Sequence, residues 1–155
     1  MAIPSRMDRG AAPTLDGTAY LARENPDEYA AIQWLNANVQ GSPVILEAPG
    51  ASFQAQTSRV SGYTGLPTLL GWPGHESQWR KNFIQAGTRE INIQEIYNSR
   101  DEQYVSSLLN KYDISYIYVG PSERSQYAPA GLAKFDIMAI PVFQQGSVTI
   151  YRTRR

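Results

Sequence analysis

The sequence has no cysteine. Disulfides, thiolate nucleophiles and Cys-based zinc sites are therefore excluded together, and the compartment stays open. Net charge is missing as well, because fourteen Lys and Arg balance fourteen Asp and Glu. Without a basic field there is neither the electrostatic footprint of a nucleic-acid binder nor a polybasic membrane anchor, so no nucleic-acid partner is expected. Long apolar runs are also lacking. VILEAP (44–49) and YIYVG (116–120) fall far short of the roughly 20 apolar residues that cross a bilayer, so the chain as given is expected to be soluble. Histidine occurs once, at position 75. The start, MAIPSRMDRGAAPTLDG, has no apolar central stretch of a signal peptide and reads as a Pro- and Gly-rich lead-in.

A chain of 155 residues is long enough for one domain with a substantial core, whereas two domains would leave each half near the size at which burial barely offsets chain entropy. The expected division is a flexible lead-in over 1–18 and a single domain over 19–155. Asn25, Pro26 and Asp27 open a segment in which Tyr29, Ile32, Trp34, Leu35 and Val39 recur at mainly helical spacing. This predicts an amphipathic helix over 26–39 with Ile32 and Leu35 buried. The run after Pro43 is apolar and stops at Pro49 and Gly50, the pattern of a buried strand with Glu47 and Ala48 at its mouth.

Ile91, Ile93, Ile96 and Tyr97 mark another helix, and Asp101 can cap one that runs to Tyr112 with Val105, Leu108 and Leu109 on its apolar face. ISYIYVG (114–120) is β-branched and aromatic and reads as a second buried strand, followed by a turn or helix from Pro121. Strands over 139–144 and 148–152, around a turn at 145–147, form an expected hairpin. The pattern predicts an α/β fold, a single domain with a small mixed sheet flanked by helices and a C-terminal hairpin. In it 44–47 and 115–119 are neighbouring strands.

The most informative run is RVSGYTGLPTLLGWPGHESQWR, 59–80. Burial needs only Leu, Ile and Val, yet Arg59, Tyr63, Trp72, His75, Glu76, Trp79 and Arg80 crowd here between glycines and prolines. Aromatic faces beside an imidazole, a carboxylate and guanidinium groups fit a surface that receives a polar ligand. These seven are the candidate ligand-binding residues. The run is expected to be a long loop, interrupted by a short strand at 68–70 and followed by a helix over 75–83 that sets His75 beside Trp79 and Glu76 beside Arg80.

Each candidate has a structural reading too. His75 with Glu76 is either an acid/base pair or a structural hydrogen bonder. Trp72, Trp79 and Tyr63 either stack on a sugar ring or fill the space beneath the loop. Arg59 and Arg80 either hold a phosphate or pair with Glu76 and Glu47. Arg outnumbers Lys eleven to three, a bias toward anionic or sugar-bearing ligands.

No catalytic residue, metal ligand or cofactor is assigned. HESQW has Trp79 where the zinc-protease helix needs its second His. GPSER (120–124) follows a strand, as a phosphate-binding turn would, but is neither a P-loop nor a dinucleotide fingerprint. Ser58, Ser61 and Ser122 lack an elbow sequence with base and orienter.

Several segments together carry a resemblance. TLDGTAYL (14–21), PDEYAAIQWLNANVQG (26–41), VILEAPG (44–50), the 59–80 run, LLNKYDISYIYVGPSER (108–124) and VFQQGSVTIYR (142–152) resemble the C-terminal soluble region of the YYY membrane-protein family, over nearly the whole chain. Members of that family are large, many-spanning bacterial and archaeal proteins of unestablished function. They are similar in layout to membrane glycosyltransferases that use polyprenyl-phosphate sugars.

The resemblance implies a part of a larger protein, on the extracytoplasmic face of the membrane. Its partners would be the membrane-embedded half of the same polypeptide and a lipid-linked sugar. In those transferases the membrane half carries the catalytic acid, so the resemblance implies that this region positions rather than catalyses, with the 59–80 run facing the membrane half. The alternative is a structural or protein-interaction module of such a membrane protein. A free-standing small-molecule enzyme comes third, because only His75 and Glu76 offer acid/base groups and no nucleophile accompanies them.

Overall fold

Asp16 accepts from the Thr18 backbone N–H and hydroxyl at 2.8 and 2.7 Å, which starts α1 (Thr18–Glu24). The structure is a computed structural model that describes residues 16–52 and 57–154, so most of the lead-in expected over 1–18 lies outside the described residues. Pro26 in the first turn, with Asp27 and Glu28 at the positive end of the helix dipole, sets α2 (Pro26–Asn38). Its Ala31, Ile32 and Leu35 are buried.

Then follow β1 (Val44–Leu46), α3 (Arg59–Thr64), α4 (Pro73–Arg80) and α5 (Ile84–Asn98). α6 (Glu102–Lys111) starts on Asp101, whose carboxylate accepts from Tyr104 N at 3.0 Å, and it buries Val105, Leu108 and Leu109. β2 (Ile114–Val119) leads to the short helices α7 (Pro121–Gln126), α8 (Pro129–Leu132) and α9 (Phe135–Met138). The chain closes with β3 (Ala139–Gln145) and β4 (Val148–Thr153).

One mixed sheet has the order β1-β2-β4-β3. β1 and β2 pair in parallel, with Ile45 opposite Tyr116 and Leu46 opposite Ile117. The long helical crossover between them is what a parallel pair requires. β4 runs antiparallel to both β2 and β3. The α/β fold, the mixed sheet, the neighbouring strands and the C-terminal hairpin are those predicted from the sequence. Gly146, at φ 51, makes the hairpin turn. Asp27 ties that turn to α2, its carboxylate lying where a Gly146 Cβ would go and accepting from Ser147 N at 3.1 Å.

Side chains leave the strands toward two apolar layers. Ile45, Tyr116, Tyr118, Val148 and Ile150 pack with Ile32 and Leu35 of α2 and Val60 of α3. Leu46, Ile117, Val119 and Tyr151 pack with Ile93, Ile96 and Tyr97 of α5, Leu108 of α6 and Phe135 of α9. Helices on both faces explain why β2 reads as a near-continuous apolar run.

The 59–80 run departs from the expected loop in two ways. It contains α3, whose N-terminus is satisfied from outside the run: Glu47 accepts from Val60 N and Ser61 N at 3.0 and 3.3 Å. An acceptor so far back along the chain leaves no local capping signal. The strand expected at 68–70 shrinks to a single bridge between Thr68 and Ile45. Leu69 and Leu70 both turn into the α5 side of the core, which strand alternation does not permit.

Gly131 marks a close approach of α8 to α5. A Cβ there would strike the Tyr97 carbonyl and come within 2.9 Å of Asn98 Cα, at the end of α5. Lys134, buried alongside, donates from Nζ to Tyr97 O at 2.9 Å and Gly131 O at 2.5 Å. Gly131→Ala is expected to cost about 1–3 kcal/mol of overpacking. Urea unfolding measures this, and a value within experimental scatter of zero would contradict the close packing.

Candidate functional site

Pro73 in the first turn and Glu76 behind it favour α4, and Lys81 ends it in the left-handed conformation (φ 56). Along this helix His75 and Trp79 stand one turn apart. Trp79 Nε1 donates to His75 Nε2 at 2.8 Å, and the two rings lie 6.0 Å apart. Trp72 meets His75 edge-on at 6.4 Å and donates from its own Nε1 to Thr57 Oγ1 at 3.1 Å. The result is an aromatic row, Trp72, His75 and Trp79, whose outer member is 78% exposed.

Glu76 turns back toward the protein. Its Oε1 accepts from Gly71 N at 3.1 Å, while Oε2 lies 3.6 Å from Arg80 Nε and 4.0 Å from Arg89 Nη1. The Glu76–Arg80 pair thus forms at the spacing the sequence offers, and half the Arg80 side chain stays open to solvent. Exposed pairs of this kind add at most about 1 kcal/mol to stability, which leaves Arg80 free to change partner.

Arg59 and Tyr63 belong to α3 and are held by α2. Arg59 pairs with Glu28, not with the Glu76 or Glu47 expected from sequence. The reason is packing: Glu28 is buried on α2, and Glu47 is already committed to the Val60 and Ser61 N–H groups. Tyr63 packs, half-buried, against the α2 side of the core. The seven candidates therefore divide into a row of five on and beside α4 and a pair on α3.

The structure adds a group that the sequence did not single out. Glu47, just past β1, and Glu123, in the first turn of α7 just past β2, are both buried. Glu123 Oε1 accepts from Ala48 N at 2.7 Å and Oε2 from Gly120 N at 2.8 Å, so one carboxylate joins the ends of both parallel strands. Tyr97 caps the same edge, its hydroxyl donating to Tyr118 O at 2.8 Å with Leu46 O at 3.3 Å. Burial outweighs the backbone donors and pushes Glu47 up to about 7, and it raises Glu123 as well. Since each carboxylate receives two backbone N–H groups, the pair braces the strand ends. The available signal was a Glu three residues after Gly120, the spacing of a helix start that reaches back to its own cap.

Among the described residues no three His, Cys, Asp or Glu side chains gather as a metal-binding group, and no helix is long and apolar enough to cross a membrane.

No family model matches the chain, and no curated protein matches it by sequence. Among solved structures it is similar to the C-terminal globular domain of an oligosaccharyltransferase from Archaeoglobus fulgidus, with a TM-score of 0.54 and 11% identity, over 83% of this chain and 97% of that one. The likeness is one of fold. It spans nearly all of that domain.

Proposed function

We propose that the chain is the extracytoplasmic C-terminal domain of a membrane glycosyltransferase of the YYY type that uses a polyprenyl-phosphate sugar, and that it positions substrate rather than catalysing transfer. Its nearly complete overlap with the C-terminal globular domain of an oligosaccharyltransferase is the observation that carries this reading. The resemblance of its sequence segments to the YYY family points the same way. In this role α4 faces the membrane-embedded half of the same polypeptide. The exposed Trp79 ring offers a stacking surface for a sugar, and Arg80 offers a guanidinium for its phosphate. His75 orients the Trp79 ring through its hydrogen bond. Trp72 and Glu76 support that surface from beneath, whereas Arg59 and Tyr63 stand apart on α3.

One observation favours a purely structural role for part of this group. Glu76 holds Gly71 N and faces two arginines, so it organises the turn before α4.

The test is transfer from a lipid-linked sugar by the full-length protein. Trp79→Ala and Arg80→Ala are each expected to lower transfer about tenfold or more, the scale of one lost positioning or charge contact. The melting temperature of the 155-residue chain should stay nearly unchanged in both variants. Unchanged transfer, or a large fall in melting temperature, would overturn the positioning role.

A further inference from the structure

The turn between α4 and α5 carries exposed apolar residues beyond Trp79 that the positioning role leaves unexplained. Trp79, Phe83 and Ile84 are 78%, 65% and 80% exposed, and all three fall within six consecutive residues. Ile91, seven residues beyond Ile84 on α5 and hence on the same helical face, is 60% exposed. Single exposed apolar residues are ordinary, but a contiguous group marks an interaction site.

Charge identifies the partner. Residues 77–89 contain Arg80, Lys81 and Arg89 and no Asp or Glu, although the whole chain is neutral. Glu76, which lies 3.6 Å from Arg80 Nε and 4.0 Å from Arg89 Nη1, is drawn inward onto Gly71 N. The Trp79 N–H is also occupied, by His75, so the ring presents its apolar body outward. Apolar side chains that project from a turn, with an indole at their edge and cations around them, have the layout of an interfacial anchor on an anionic membrane.

We infer that the α4–α5 turn is a lipid-contact site, which seats Trp79, Phe83 and Ile84 in the interface of an anionic bilayer with Arg80 and Lys81 at headgroup level. This goes beyond substrate positioning, because it assigns the turn a ligand of its own and does not depend on transfer activity.

The test uses the 155-residue chain and vesicles of phosphatidylcholine alone or mixed in equal parts with phosphatidylglycerol. The chain is expected to sediment with the mixed vesicles at low salt, more weakly at high salt, and to have its tryptophan emission quenched by bromine-labelled lipid tails. Binding should fall about tenfold or more in the Phe83→Asp/Ile84→Asp double variant and by a similar factor in Arg80→Glu/Lys81→Glu. Ile137→Asp, which places a charge on an exposed apolar residue elsewhere, should bind as the parent does. Because all the altered side chains are exposed, circular dichroism should report the same fold throughout. No sedimentation with anionic vesicles overturns the inference, as does equal loss in Ile137→Asp or full binding by both double variants. A result of either sign leaves the transfer assay on the full-length protein to decide the positioning role separately.

Discussion

Tyr97→Ala is expected to destabilise the protein by about 3–5 kcal/mol, the range for removing a large buried aromatic side chain. Tyr97 is fully buried, stacks on Tyr127 with ring centres 4.4 Å apart and meets Phe135 edge-on at 5.9 Å. Truncation would open a cavity between α5, α7 and α9 that a close-packed core cannot collapse to fill. It would also remove the hydroxyl that donates to Tyr118 O at the end of β2. Tyr97→Phe separates the two contributions. Keeping the rings while orphaning the buried carbonyl should cost about 1–3 kcal/mol. Urea unfolding of both variants measures the difference, and a Tyr97→Ala cost no larger than that of Tyr97→Phe would show that the ring packing contributes little.

Stability is expected to fall as pH rises from about 5 to about 8, against the common rise over that range. Glu47 is pushed up to about 7 in the folded chain from an ordinary 4.5. A carboxyl whose folded value is raised binds its proton more tightly in the native state, so its contribution is fully present below the unfolded value and is lost as pH climbs through the folded one. The shift corresponds to about 3 kcal/mol at most. Glu123 is raised too and acts in the same direction. Lys134, lowered by burial to about 8, changes charge between that value and the ordinary lysine range and so acts above the window.

The check is the urea midpoint of the parent and of Glu47→Gln across this pH range. The variant should lose much of the slope, because its amide cannot ionise. It should also be less stable at acid pH, because an amide NH2 now faces the Val60 or Ser61 N–H. A flat or rising midpoint in the parent would mean that the backbone donors outweigh burial and hold Glu47 ionised.

These two predictions concern residues that the sequence marks very unequally. Tyr97 stood in a periodic apolar run and was legible as a core residue of a helix. Its hydroxyl contacts were not, since Leu46 and Tyr118 become its neighbours only once the sheet forms. Glu47 was placed at the mouth of a strand, but nothing local announced that it would hold α3. Within the candidate site the same division recurs. The His75–Trp79 and Glu76–Arg80 contacts follow from one turn of helix and were readable in HESQWR. The Arg59–Glu28 pair joins α3 to α2 across a long stretch of sequence and was not.

The sequence by itself determined the four strands of the sheet, the neighbouring placement of the two apolar runs, the closing hairpin and the amphipathic faces of α2 and α6. Each of these rests on a local period or a turn signal, which are properties of neighbours along the chain. Only the tertiary structure decided which acceptor caps α3, which carboxylate joins the strand ends and which arginine is consumed by a buried partner. It also decided that Trp79 stays uncovered, although in the sequence it read equally well as filling the space beneath a loop. Burial depends on what else packs nearby, and buried polar groups must find partners wherever the fold brings them. That information is distributed over the whole chain.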